Sequence, residues 1–208
     1  MINDTDGPRL KAPKTHFDRR INCLFFFPAR AITLLLLFLI PPKTFALQWQ
    51  TLTVTGQVPT NGLGHSAVFD SSSDEMIVYG GYDASQVPIS EVWVLANVSG
   101  SAGPASWAKL ALSGGPARSE HSAVYDAANK RMIVFGGFDE TTARTNQVWV
   151  LSNADGTAGT PTWTRVAIVG PEPPPRRNAY ANYGPISNRL IIFGGEDDSR
   201  SKLNDVWV

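Results

Sequence analysis

The chain has 208 residues, with 18 acidic and 18 basic side chains and a hydrophobic content of 43%. These values describe a chain long enough to bury a substantial core, and they argue against intrinsic disorder. The single cysteine, Cys23, precedes the globular part of the chain and excludes a disulfide-stabilised fold there. The chain also lacks the basic stripe that nucleic-acid binding requires, so no nucleic-acid partner is expected.

Residues 1–46 are predicted to be a signal peptide. The apolar run 31–40 has the length of a signal h-region, two prolines follow it, and Thr44-Phe45-Ala46 supplies small residues for cleavage. We therefore expect a secreted, periplasmic or extracellular protein. The alternative is an uncleaved signal anchor over 21–40, which alone would give membrane attachment and would bury Arg30 in the bilayer.

A sequence repeat organises the remaining residues, 47–208. The segment His65–Asp70 recurs 56 residues later as His121–Asp126. An apolar run ending in Gly-Gly occurs three times, and a tryptophan follows the second glycine after 12 residues each time. Such a spacing indicates a tandem structural repeat. The repeated residues are Gly80, Gly81, Trp93 and Trp107 in the first unit, Gly136, Gly137, Trp149 and Trp163 in the second, and Gly194, Gly195 and Trp207 in the third.

Each unit is predicted to be a sheet of four short strands, a to d, separated by Gly, Pro, Ser and Asn clusters. Strand b is continuously apolar, as expected of a strand that is covered on both faces. The predicted units are blade 1 over 62–112, blade 2 over 118–169, and blade 3 over 176–208, which lacks strand d. An orphan strand d is expected over 47–56, because Trp49-Gln50-Thr51-Leu52 aligns with Trp107–Leu110.

The apolar run, the Gly-Gly pair and the following tryptophan resemble the kelch repeat family, over essentially all of residues 49–208. The resemblance implies an all-β, kelch-type β-propeller of about three four-stranded blades. Propellers close with four to eight blades, so we expect a fragment of a six- or seven-bladed ring. The open blade faces then predict that residues 47–208 alone dimerise or aggregate; in a homodimer two chains would exchange their terminal strands. The alternative is that Trp49–Leu52 pairs beside Val206–Val208 within one chain and closes a strained three-bladed ring.

In such a propeller the b–c and d–a loops share one face, and these loops differ between the repeats. Variable loops on a constant scaffold are typical binding sites. Asp83, Asp139 and Asp197 follow each glycine pair and are equally well explained as turn caps. The candidate ligand-binding residues are Tyr82, Arg118, Phe138, Glu140, Arg144, Arg176, Arg177, Glu196, Asp198 and Arg200.

The pattern predicts a non-enzymatic binding module for a protein or a glycan. The alternative is part of a carbohydrate-active enzyme of the mutarotase type, in which Glu140 or Glu196 beside Arg176 would supply the acid and base. Copper radical chemistry is not supported, because its cysteine is missing from 47–208. No cofactor or metal is expected: His65 and His121 recur, but Ala179 takes their place in the third repeat.

Overall fold

The computed structural model describes residues 49–60, 62–112, 114–157 and 159–208. Residues 50–208 form one compact unit. The predicted signal segment, 1–46, lies outside the described residues, and its export role stays a prediction. No helix in the described ranges is long and apolar enough to cross a membrane.

The described residues contain twelve β-strands. Blade 1 comprises β2 (His65–Asp70), β3 (Glu75–Gly80), β4 (Val92–Ala96) and β5 (Ala105–Lys109), with β1 (Val54–Gly56) added at its edge. Blade 2 comprises β6 (Ser122–Asp126), β7 (Arg131–Phe135), β8 (Val148–Ser152) and β9 (Thr162–Arg165). Blade 3 comprises β10 (Tyr180–Gly184), β11 (Arg189–Glu196) and β12 (Lys202–Trp207).

Within each blade, consecutive strands pair in antiparallel fashion. The prediction of an all-β fold with four-stranded blades is therefore confirmed. In blades 1 and 2, strands a to d occur in their predicted order, and the described part of blade 3 contains strands a to c.

The N-terminal strand differs from the expectation. Residues 50–53 lie in no strand, and β1 pairs in parallel with β5 through the register Val54↔Ala105. The segment Trp49–Leu52, which has the strand-d pattern, therefore completes no blade in this structure. Its role as a strand d stays a prediction.

The core lies between facing blades. Ile77 and Tyr79 of strand b in blade 1 pack against Met132 and Val134 of strand b in blade 2, and all four are buried. Side chains alternate along a strand, so both faces of these apolar strands are covered. This explains why the b strands show continuous rather than alternating hydrophobicity.

A tyrosine–aspartate hydrogen bond occurs in both interfaces between neighbouring blades. The Tyr125 hydroxyl donates to the Asp70 carboxylate at 2.8 Å, and the Tyr183 hydroxyl donates to Asp126 at 2.9 Å. His121 is buried, with Nε2 at 2.6 Å from the hydroxyl oxygen of Ser66 in blade 1. Burial lowers the pKa of His121 to about 3, which keeps the ring neutral. These contacts give His121 a structural role in joining blades.

The tryptophans of strand c also have a structural role. The indole N–H of each donates to the residue two positions earlier: Trp93 to Glu91, Trp149 to Gln147 and Trp207 to Asp205. Trp93 is buried, as expected for a core residue. Trp149 and Trp207 are half-buried.

Candidate loop-face binding site

The glycine pairs bring the b–c and d–a loops together. The amide of Gly81 donates to the Arg118 carbonyl at 2.8 Å, and the amide of Gly137 donates to the Arg176 carbonyl at 2.9 Å. A Cβ on Gly137 would lie 2.4 Å from the Ser119 carbonyl oxygen, so only glycine permits this approach at its φ of +82°. Strand b of one blade thereby anchors the loop that enters the next.

We call the surface formed by the b–c loops (81–90, 137–146 and 195–201) and the d–a loops (62–64, 114–121 and 172–179) the loop face. Backbone bridges across it join Ser119 with Phe138 and Arg177 with Glu196. The prediction that these two sets of loops share one face is therefore confirmed.

The three aspartates that follow the glycine pairs cap their own turns. Asp83 accepts from the amides of Ser85 and Val87 at 2.8 and 2.9 Å, and Asp139 accepts from those of Thr141 and Ala143 at 2.9 and 3.1 Å. Asp197 likewise accepts from the Ser201 amide at 2.9 Å. Of the two interpretations of these residues, the structure supports turn capping.

On the loop face, the Phe138 ring lies close to two arginines. The guanidinium carbons of Arg144 and Arg177 are 5.2 and 5.4 Å from the Phe138 ring centre, within cation–π range. The Arg144 guanidinium donates to Glu196 Oε1 at 2.8 Å, and that of Arg177 donates to the same atom at 2.7 Å. These four residues form what we call the Phe138 cluster.

Glu120 connects this cluster to blade 1. It accepts a hydrogen bond from Arg177 at 2.6 Å and another from the Tyr82 hydroxyl at 2.9 Å. Glu120 adopts a left-handed backbone conformation, with φ of 52°, which directs its side chain toward these donors. The loops of all three blades thus contribute to one polar network.

Glu196 is the ionised centre of that network. Its side chain is buried among three cations, since Lys202 also contacts Oε2. Hydrogen bonds from Lys202, Arg177 and Arg144 lower the pKa of Glu196 to about 2. A carboxylate so stabilised is a structural anion rather than a proton donor at neutral pH.

An open pocket of about 510 Å³ lies above the Phe138 cluster. Besides the cluster, Tyr82 and Arg200 line the pocket, and both were predicted from the sequence as ligand-binding residues. Gln86 and Thr142 also line it and were not predicted. Gln86 and Thr142 occupy the repeat position of Arg200, five residues after the second glycine of each pair, so the repeat spacing was a signal for them. The pocket residues are Tyr82, Gln86, Phe138, Thr142, Arg144, Arg177, Glu196 and Arg200.

Two predicted ligand-binding residues are structural instead. Arg176 is fully buried and holds Asp205 through two hydrogen bonds of 2.6 and 2.9 Å. Arg118 is 2% exposed and donates to Gln147 Oε1 at 2.7 Å. The expectation that these guanidinium groups face a ligand was therefore wrong, because each is buried and binds the residue two positions before the strand-c tryptophan.

The sequence contained a signal for this role. Arg118 and Arg176 stand at matching positions, and so do their partners, Gln147 and Asp205, each two residues before a strand-c tryptophan. A pair of positions that recurs together is typical of a repeat contact rather than of a ligand site.

The remaining candidates lie at the rim of the loop face. Asp198 is exposed and lies 3.5 Å from Arg144, and the exposed Glu140 lies 4.0 Å from Arg118. The pairing of Glu140 or Glu196 with Arg176 that was considered for an enzyme is not formed, since Arg176 is buried against Asp205. Within the described ranges, no three His, Cys, Asp or Glu side chains converge as a metal site.

The architecture is that of a β-propeller segment with a polar loop face. The KLHDC2/KLHL20/DRC7 kelch-repeats domain family matches residues 101–208. The solved structure of YjhT shares the fold, with a TM-score of 0.52 and 19% identity, over 73% of this chain and 44% of that one. The chain belongs to the kelch-repeat family, and the predicted kelch-type propeller is confirmed.

Several curated proteins with kelch repeats are similar in sequence. The Rab9 effector protein with kelch motifs of Bos taurus is 30% identical, over 77% of this chain and 41% of its own length. An F-box/kelch-repeat protein of Arabidopsis thaliana is 27% identical, over 78% and 33%. The flagellar outer-arm dynein alpha chain of Chlamydomonas reinhardtii is 27% identical, over 77% and 3%. The chain thus spans less than half of the length of these relatives.

Proposed function

We propose that the chain is a non-enzymatic kelch-repeat module that binds a protein partner through its loop face. The observation that carries the proposal is the Phe138 cluster, where an aromatic ring within cation–π range of two arginines lines an open pocket. Aromatic side chains, including Phe, and arginine are enriched at protein–protein interfaces. The sequence similarity to kelch-repeat proteins such as the Rab9 effector supports the same class of function.

The chemistry of the pocket favours a polar, mixed-charge segment of a protein. Arg144 and Arg177 share the anion Glu196, while Arg200, Asp198 and Lys202 are exposed around it. Because the inner charges are already paired, specificity would come from hydrogen bonding at this rim and from apolar contact with Phe138 and Tyr82.

The test is partner capture with matched variants of the full chain. Proteins recovered from the source organism by wild-type chain, Phe138→Ala and Ile186→Ala are compared by quantitative mass spectrometry. Ile186 is fully exposed in the turn between β10 and β11, outside the loop face. Phe138→Ala should reduce recovery of the specific partner at least tenfold, whereas Ile186→Ala should retain it.

Two results would contradict the proposal. One is a partner that Phe138→Ala captures as well as wild type does, which would place the binding surface elsewhere. The other is a ligand found on a glycan array that competes at the pocket while no protein partner depends on Phe138.

A further inference from the structure

The turns between strands b and c share one backbone feature. Gln86, Thr142 and Arg200 each stand five residues after the second glycine of a pair, and their φ angles are 63°, 62° and 61°. The amide of each donates to the carbonyl of the aspartate that begins its turn, at 3.1, 2.9 and 3.0 Å. The three residues therefore occupy equivalent positions of one type of turn, in the left-handed conformation that favours glycine.

The turns on the opposite side of the blades show which side chains this conformation favours. They join strand a to b and strand c to d, because antiparallel strands return alternate loops to the same side of a sheet. Five residues other than glycine have a positive φ there, between 49° and 58°: Asp74, Asn97, Lys130, Asn153 and Asn188. Four of the five are Asn or Asp, the types that adopt the left-handed region most readily.

The three b–c positions do not follow this preference. They carry Gln, Thr and Arg, and Thr142 is β-branched, which makes a positive φ especially unfavourable. Another left-handed residue of the loop face, Glu120, has an evident structural use, since it accepts hydrogen bonds from Arg177 and Tyr82. The side chains at the b–c positions are therefore expected to have a use that offsets the backbone cost.

The fold makes no polar use of these three side chains. Gln86, Thr142 and Arg200 are exposed, and within the described ranges their side chains form no hydrogen bond and no ion pair. All three line the open pocket above the Phe138 cluster, each from the loop of a different blade. Unfavourable backbone conformations cluster at ligand-binding sites, and three that line one pocket indicate that their side chains are kept for a ligand.

Arg200 is also the arginine of the pocket whose charge is not compensated. Arg144 and Arg177 both form an ion pair with Glu196. The guanidinium of Arg200 forms none with the described residues, and its exposed position lets a ligand approach it. A guanidinium group binds a carboxylate through two parallel hydrogen bonds, so Arg200 is suited to an acidic side chain.

We propose that Gln86, Thr142 and Arg200 determine which protein segment the loop face binds, and that Arg200 pairs with an acidic side chain of that segment. Gln86 and Thr142 supply an amide and a hydroxyl group, which donate or accept hydrogen bonds with polar groups of the segment. This inference rests on the proposed function, because it names the specificity-determining residues of the same pocket.

A random peptide library displayed on phage provides the probe. Peptides selected on the full wild-type chain should share an Asp or Glu at one position. Arg200→Glu reverses the charge that this residue meets, so it should select peptides with Lys or Arg there instead. Wild-type peptides without an acidic preference, or an unchanged preference on Arg200→Glu, would overturn the inference.

Phe138→Ala keeps this result distinct from the test of the proposed function. The variant should bind the wild-type peptides at least tenfold more weakly, because it removes the aromatic ring of the pocket. If it does so while Arg200→Glu keeps the acidic preference, the proposed function stands and this inference is wrong. If Phe138→Ala binds the peptides as wild type does, both are wrong.

Substitutions of Thr142 separate recognition from turn formation. Thr142→Gly removes the side chain and relieves the backbone, so its melting temperature should lie between the wild-type value and about 3 °C above it. Thr142→Ala removes the same side chain but keeps the unfavourable φ, and it should melt below the glycine variant. Both variants should bind the selected peptides about 2- to 10-fold more weakly, the effect of one neutral hydrogen bond.

Asn97→Gly is the matched control. Asn97 has a φ of 55° in a turn on the opposite side of blade 1, and its side chain forms no hydrogen bond with the described residues. This variant should bind the peptides as wild type does, and an equal loss there would overturn the inference. Thr142→Gly that binds as tightly as wild type, or that melts below Thr142→Ala, would also overturn it, because the side chain would then serve only the turn.

Discussion

Replacement of the buried Arg176 should destabilise the fold, although sequence analysis assigned this residue to ligand binding. Arg176 donates to both oxygens of Asp205 on β12, to the Gly194 carbonyl of β11 at 2.9 Å, and to the Pro174 carbonyl at 3.0 Å. Arg176→Ala removes all of these donors, so the two carbonyl groups lose this partner and the Asp205 carboxylate keeps only the Trp207 indole N–H among the side-chain donors of the described residues.

The size of the effect follows from the burial of the pair. Removing one partner of a buried ion pair costs about 3–5 kcal/mol. The Asp205 side chain is 36% exposed and gains some solvation by water, so we expect the lower end, about 3 kcal/mol. For a domain of this size each kcal/mol lowers the melting temperature by about 2–4 °C, which predicts a decrease of about 6–12 °C.

The assay is urea and thermal unfolding, followed by tryptophan fluorescence and circular dichroism. Arg177→Ala is the matched control, because the neighbouring guanidinium is partly exposed and Glu196 keeps Arg144 and Lys202 as partners. The control should melt close to wild type. Equal melting temperatures for the two variants would refute the assignment of Arg176 to the fold.

Two further predictions concern acid stability and export. Contacts with Arg176 lower the pKa of Asp205, and contacts with Lys202 and Arg177 lower the pKa of Glu196 to about 2. In the unfolded chain both groups have a pKa near 4. The stability that the two ionised groups contribute is therefore present above about pH 4 and is lost as the pH falls toward 2. The melting temperature should therefore drop between about pH 4.5 and 2, and less steeply in Asp205→Asn; equal slopes would argue against this origin. For export, mass spectrometry should find Leu47 at the N-terminus of the released protein, and an intact chain extracted with membranes would instead indicate the anchor.

The sequence alone was sufficient for the blades. Gly-Gly pairs, apolar b strands and tryptophans at constant spacing are local signals, and they predicted the order of strands from His65 to Trp207. They also predicted which loops share a face, because antiparallel strands return alternate loops to the same side of a sheet.

The use of each charged loop residue was decided only by the tertiary structure. Arg176 and Arg177 are neighbours with the same side chain, yet one is buried against Asp205 and the other contacts Phe138 and Glu196. Their directions depend on loop backbone such as that of Asn178, with φ of 52°, and on the next strand. The matching repeat positions of Arg176 and its partner Asp205 indicate a structural contact, but spacing gives no comparable indication of where the Arg177 side chain is directed.

The same distinction applies to the first strand. The Trp49–Leu52 pattern predicts a strand d, but a strand needs an edge on which to pair, and sequence does not show which edge is within reach. In the structure the neighbouring residues Val54–Gly56 pair with β5 of blade 1. The local sequence pattern thus determined which segments of this chain form strands. The strand with which each segment pairs was decided by the tertiary structure, because pairing requires an unpaired strand edge within the distance that the connecting residues can span.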